Sequence, residues 1–168
     1  GEIHVNASGD GLDSNGDLTV SGGAVYISGP TDDGDGALDY DGTATITGGL
    51  VIAAGSSGMA QNFGSDSTQG SILLSFAARS SDPIELRGAD GSLLAQFTPE
   101  KEYSSVVISC PELAQGETYT VTAGGETQEI TLESLIYGET GGFGSGFPGG
   151  GKPGGGFGGQ DGDFTPPS

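Results

Sequence analysis

Two short segments hold most of the acidic side chains in the first half of the chain: Gly9-Asp10-Gly11-Leu12-Asp13-Ser14-Asn15-Gly16-Asp17 and Asp32-Asp33-Gly34-Asp35-Gly36-Ala37-Leu38-Asp39-Tyr40-Asp41-Gly42. Residues 1–78 contain ten acidic residues and no Lys or Arg, and eight of the ten lie in these two segments. Carboxylates gathered without counterions chelate a hard cation, share protons as acid–base groups, or act as acceptors in Asx turns. Aligning the segments pairs Asp10 with Asp35, Asp13 with Asp39 and Asn15 with Asp41. On stacked strands such partners lie about 4.8 Å apart. Two carboxylates at roughly 5 Å repel by about 3 kcal/mol at an effective dielectric near 20, which a proton or a cation relieves. Calcium takes about six to eight oxygens at about 2.3–2.6 Å, so one ion can bridge neighbouring strands, whereas magnesium keeps its waters and demands octahedral geometry. Neither segment is an EF-hand, which needs Asp, Asn and Gly in a fixed register and a closing Glu. Nor is either a Gly-Gly-x-Gly-x-Asp nonapeptide repeat.

Acid–base chemistry is less well served. β-Elimination from a uronate needs a base beside the cation, and the basic residues are Arg79, Arg87, Lys101 and Lys152, all outside the acidic segments. His4 stands alone as a base that works near neutral pH. A glycosidase needs a carboxylic acid that keeps its proton, and chelating acids are ionised. No catalytic residue is assigned, and a polysaccharide lyase or hydrolase is the weakest alternative. Sugar binding asks instead for flat groups beside polar ones. His4, Tyr26 and Ile52 occupy equivalent positions of successive strands and point outward, forming a ladder unless the C-terminal part covers it. Tyr40 sits within the second acidic segment.

The elements that position these residues are short strands. Ile3-His4-Val5, Leu18-Thr19-Val20, Val25-Tyr26-Ile27, Ala44-Thr45-Ile46 and Val51-Ile52-Ala53 alternate with period two, and no helical periodicity survives the Gly, Ser and Thr interruptions. Asp17–Gly42 (DLTVSGGAVYISGPTDDGDGALDYDG) restarts at Thr43 as TATITGGLVIAAGSSGMA, an offset of 26 residues. Each unit has three short strands and is too small to bury its own apolar face, so copies must stack. This predicts an all-β fold, a parallel β-helix with Leu18, Val20, Val25, Ile27 and Leu38 inward. The alternative is a β-sandwich of similar hairpins. After residue 70 the repeat ends, and Ser71–Ala78, Ile84–Arg87, Ser92–Phe97, Tyr103–Ser109 and Thr118–Thr122 predict a small antiparallel β cap, with turns at Asp90-Gly91 and Gly124-Gly125. Residues 138–168 hold 14 Gly in 31 positions and read as a flexible Gly/Pro-rich linker or tail. The expected division is thus 1–70 coils, 71–137 cap and 138–168 tail. The chain opens partway through a coil, so further coils are expected upstream.

Across its 168 residues the protein has 4 Lys+Arg, 23 Asp+Glu and a formal net charge of −19. That balance excludes nucleic acid as a partner, because nothing neutralises a run of phosphates. It also opposes anionic membrane surfaces, and no apolar run approaches the roughly 20 residues of a membrane-spanning helix. The 35 glycines follow no three-residue period, which excludes collagen. Cys110, the single cysteine, rules out an internal disulfide.

The strings GDGLDSNG, GALDYDG, ITGG, GSSGMAQ, QFTPEKEYSSVVIS and PELAQGETYTV resemble the bacterial carbohydrate-binding β-helix domain related in fold to pectate lyases. The resemblance covers residues 1 to about 137. It implies a right-handed parallel β-helix on a secreted or cell-surface protein, binding calcium and plant-type polysaccharide, acidic (pectic) or cellulosic. Its calcium motifs fall on Asp10, Asp13, Asn15, Asp33, Asp35, Asp39 and Asp41. Carbohydrate contacts are expected at His4, Tyr26 and Tyr40. The family's N-terminal coils have no counterpart here. The competing expectation is a structural cell-surface or filament-forming protein whose coil ends stack chain on chain.

Overall fold

The computed structural model describes residues 1–138; of the expected tail, everything from residue 139 on lies outside the described residues. Among the described residues there are twelve strands and no helix: β1 (Glu2–Asn6), β2 (Leu12–Ser14), β3 (Leu18–Ser28), β4 (Leu38–Tyr40), β5 (Ala44–Gly55), β6 (Ser71–Ser80), β7 (Ile84–Gly88), β8 (Leu93–Phe97), β9 (Tyr103–Ser109), β10 (Thr118–Ala123), β11 (Glu126–Thr131) and β12 (Ile136–Tyr137). The protein is all-β. Its largest sheet has the order β1-β3-β5-β9-β6-β12, a second has β11-β10-β7-β8, and β2 pairs with β4 alone.

β1, β3 and β5 run parallel. In β3 and β5, Leu18 lies opposite Ala44, Val20 opposite Ile46, Val25 opposite Val51 and Ile27 opposite Ala53. In β2 and β4, Leu12 lies opposite Leu38. Each of these pairs is 26 residues apart in the chain. The runs 18–20 and 25–27 join into one strand, as do 44–46 and 51–53. Strict alternation would put Val20 and Val25 on opposite faces; the register shift between Val20 and Ala24 resets the phase, so both are buried in the same core. Gly23 (φ +82°) and Gly49 (φ +95°) make the bend, in a backbone region that disfavours any Cβ. At Gly49 a Cβ would also stand 2.8 Å from the carbonyl oxygen of Gly23 on the paired strand β3.

The large sheet separates two cores. One face buries Val20, Val25, Ile27, Leu38, Ile46 and Phe63. The other packs Ile52, Ile72 and Ile108 against the four-stranded sheet through Ile84, Leu86, Tyr119, Val121 and Ile130. Ile52, Ile108 and Ile72 face one another across β5, β9 and β6, and all three are fully buried. Burying each such side chain is worth about 1.5–3 kcal/mol as an upper estimate. Two-sided burial accounts for the consecutive apolar residues 51–54 of β5, 72–74 of β6 and 106–108 of β9.

Residues 71–137 therefore do more than sit on one end. β9 pairs antiparallel with β5 and carries β6 into the same sheet, so the boundary at 70/71 falls between two strands of one sheet. The loop between β5 and β6 bonds back to the first half of β5. Gly64 N–H donates to Ala44 O, Thr68 N–H to Ile46 O, and Ile46 N–H to Ser67 Oγ.

Candidate functional site

β2 and β4 place Asp13 directly opposite Asp39. Their neighbours Leu12 and Leu38 turn inward beside Ile27 and Ala37, so alternation sends both carboxylates outward. Asp10 reaches the same rung from the loop before β2. The backbone register, with Gly11 N–H donating to Gly36 O, sets Asp10 opposite Gly36 rather than Asp35, and its Oδ1 accepts from Gly36 N–H at 2.8 Å. On the other side, bonds from Asp41 N–H to Ser14 O and from Gly42 N–H to Gly16 O bracket the pair Asn15 and Asp41. Asp39 is half-buried, and its carboxyl is held above the usual carboxylate range, first by desolvation and then by Asp10, Asp13 and Asp41. Three carboxylates thus act on that of Asp39. Among the described residues, no hydrogen bond reaches the carboxylates of Asp13 or Asp41.

The other aspartates have different jobs. Asp17 Oδ1 accepts from Thr43 N–H at 2.8 Å and Thr43 Oγ1–H at 3.0 Å, which lowers its pKa. Asp32 Oδ1 accepts from Gly34 N–H, an Asx turn. Asp33 accepts from Ser56 Oγ–H and stands 3.7 Å from an Arg79 guanidinium nitrogen. Asp35 is half-buried near Gly9, apart from the Asp13–Asp39 rung. Carboxylate oxygens suit a hard cation. Among the described residues, however, no three Asp, Glu, His or Cys side chains converge closely enough to enclose a metal ion. The rung is an open pair with neighbours, not a closed cage.

The outward ladder is in register, His4 opposite Tyr26 and Tyr26 opposite Ile52. The His4 and Tyr26 rings stack at 4.8 Å and 18°, while Ile52 is fully covered by the second core. Phe97, which local sequence did not single out, comes from β8 to lie 5.2 Å from the Tyr26 ring. His4 Nε2 lies 2.6 Å from Glu2 Oε1. Tyr40 projects elsewhere: its hydroxyl donates to Asn62 O, and it lines a cleft of about 200 Å³ with Thr43, Thr45, Ser65 and Asp66. That is smaller than the roughly 300–1,000 Å³ of most small-molecule pockets.

Two basic residues remote in sequence do reach the loops between the N-terminal strands. Arg79 meets Asp33, and Lys101 Nζ donates to Ala7 O beside Asn6, whose amide donates to Glu100 at 2.9 Å. Nothing local in the sequence signals either contact. Neither cation touches the Asp13–Asp39 rung. Compared with protein-family models, with curated proteins and with solved structures, the chain gives no match. The fold and site define an all-β protein with a carboxylate ladder on paired parallel strands.

Proposed function

We propose that this chain is a non-catalytic polysaccharide-binding module that works with calcium, and that β1–β5 are coils of a right-handed parallel β-helix. The coil reading is supported by two parallel pairings that share one 26-residue offset. The cation reading rests chiefly on the Asp13–Asp39 rung. Like charges are stacked there in register, with Asp10 and Asp41 adding to the field and no basic side chain on the rung. Asp13 and Asp39 would hold the ion, with Asp41 and Asn15 beside them. When bound, calcium supplies positive charge to neutralise the rung and attract anionic sugar. A chain of net charge −19 otherwise repels acidic polymers. His4 and Tyr26, backed by Phe97, offer an aromatic edge for sugar rings, and the Tyr40 cleft adds a small pocket lined in part by Thr43, Thr45, Ser65 and Asp66. Acidic pectic polymers are the first choice of ligand and cellulosic ones the second. Placement on an exported or cell-surface protein follows from the resemblance in the sequence.

End-to-end stacking into filaments has less support, because β9 runs antiparallel along β5 and occupies the edge on which a parallel copy would continue. The test is calorimetric titration with calcium and with magnesium, followed by polygalacturonate pull-down with and without chelator. Calcium binding that is lost in a D13N/D39N double variant, together with chelator-sensitive pectate retention, supports the reading. Pectate retention unchanged by chelator overturns the calcium mechanism, and no retention of any polysaccharide overturns the module.

A further inference from the structure

The sequence contains three asparagines, Asn6, Asn15 and Asn62, and the fold treats them very differently. Asn62 is fully buried with both amide ends bonded: Nδ2 donates to Tyr137 O and Gly138 O, while Oδ1 accepts from Phe63 N–H and Ser71 Oγ–H. Asn6 is exposed, but its amide donates to Glu100. The next backbone N–H, that of Ala7, is tied to Ser28 O at 3.0 Å. Asn15 is exposed in the bend between β2 and β3, and among the described residues its side chain makes no hydrogen bond. The following Gly16 is exposed too. Its N–H has only a long 3.3 Å bond to Ser14 Oγ, and there is open space where a Cβ would stand. We propose that Asn15 is a site of spontaneous deamidation that passes through a succinimide and leaves aspartate or isoaspartate at the acidic ladder.

The step balances within the chain and water. The Gly16 backbone nitrogen loses its proton and attacks Asn15 Cγ. The N–Cγ bond forms, the Cγ–Nδ2 bond breaks, and the amide nitrogen leaves as ammonia carrying the displaced proton. Water then opens the ring at either carbonyl, giving Asp or isoAsp. A side chain on the following residue obstructs the attack, and glycine presents none. Asn6 fails the geometric requirement because both its amide and the attacking nitrogen are held. Asn62 fails because its amide is buried and fully bonded. The product sits opposite Asp41, between the bonds Asp41 N–H to Ser14 O and Gly42 N–H to Gly16 O. Deamidation therefore adds a carboxylate there, and the isoaspartyl form lengthens the main chain between those two bonds. None of this depends on the cation reading.

The test is to incubate the folded chain for weeks in neutral buffer and compare it with a sample held in denaturant, by intact mass and peptide mapping. Because the first basic residue is Arg79, a protease other than trypsin is needed to resolve Asn15 from Asn6 and Asn62. The expected result is a gain of about 1 Da, from replacing NH2 by OH, at Asn15 of the folded chain. Asn6 and Asn62 keep their amides there. The G16A variant, whose added methyl meets nothing, gains this mass more slowly while its circular dichroism is unchanged. The proposal is overturned if Asn15 keeps its amide in the folded chain over the period in which the denatured chain loses it. It is equally overturned if Asn6 deamidates as fast as Asn15, or if G16A is no slower than the parent.

Discussion

Asp39→Asn is the most direct probe of the carboxylate ladder, because it removes a charge while keeping shape. A carboxylate on the neighbouring strand, about 5 Å away, repels Asp39 by about 0.8 kcal/mol in water-like dielectric and about 3 kcal/mol at an effective dielectric of 20. The rung opens to solvent on one side and salt screens Asp10 and Asp41, so the net repulsion relieved is about 1 kcal/mol. Asp39 has its pKa raised on folding, through desolvation and then Asp10, Asp13 and Asp41. The folded state therefore binds more protons than the unfolded chain, and stability falls as pH rises through the window that begins near the unfolded value of about 3.9. In chelator at neutral pH, D39N is expected to be about 1 kcal/mol more stable than the parent, a rise in Tm of roughly 2–4 °C for a chain of this size. Below that window the difference should vanish. In calcium the order should reverse. A ligand at a hundredfold its Kd adds about 2.7 kcal/mol to a chain that binds it, and D39N has lost half of the rung. Thermal unfolding followed by circular dichroism, in chelator and in calcium at neutral and acid pH, reads all of this. A D39N chain less stable than the parent in neutral chelator would show that the rung is already satisfied without a cation. An equal calcium-induced rise in both chains would place the ion elsewhere.

Two further substitutions test the structural roles of polar groups. Asp17 has its pKa lowered by two bonds from Thr43, so its contribution is present above the unfolded value of about 3.9 and is lost as pH falls through the lower folded value. D17A should lower Tm at neutral pH and leave it unchanged at strongly acid pH, and an equal loss at both would refute the charge-based account. Asn62→Ala orphans the buried Ser71 hydroxyl and the Phe63 N–H at about 1–3 kcal/mol each, so a loss of at least about 2 kcal/mol is expected in urea unfolding. It should also raise hydrogen exchange at residues 135–138, which Asn62 ties to the sheet. A loss under about 1 kcal/mol would show that water replaces the amide.

Local pattern carried much of the fold, because alternation and turn glycines are local signals. The strands at 84–87, 103–109 and 118–122 were legible in this way, as were the hairpin glycines Gly124 and Gly125, both of positive φ. β11 was not, since ETQEIT offers one buried apolar residue, Ile130, among exposed polar ones. The path of β9 was also illegible. YSSVVIS is buried along its whole length, its three serines included, yet nothing in a strand buried on both faces says which strands flank it. The site divides along the same line. The Asp13–Asp39 rung follows from aligning two neighbouring segments, and a strand register preserves such an alignment. The Arg79–Asp33 pair and the Phe97–Tyr26 contact join residues 46 and 71 positions apart, and only tertiary packing brings them together.

The eight aspartates of the acidic segments also bear on why so dense a charge is tolerated. An Asx turn explains Asp32, whose carboxylate accepts from Gly34 N–H two residues on, while Asp17 and Asp10 accept from backbone N–H groups 26 residues away, those of Thr43 and Gly36. Asp33 has Ser56 and Arg79. Neither turns nor bonds to the neighbouring segment account for Asp13 and Asp41, whose carboxylates accept no hydrogen bond among the described residues. Asp13 lies on a strand rather than at a corner, and with Asp41 it raises the pKa of Asp39 instead of relieving it. Serine or threonine at position 13 would fill the same strand position without that repulsion, as Thr19 and Thr45 do on the neighbouring sheet, where their hydroxyls meet at 3.3 Å. Two ladders on these parallel strands thus differ in kind, one of neutral hydroxyls that satisfy each other and one of carboxylates that do not. The repulsion in the second is relieved when a proton or a cation joins it, so the Asp13–Asp39 rung, rather than the acidity of the chain as a whole, is where the cation proposal is tested.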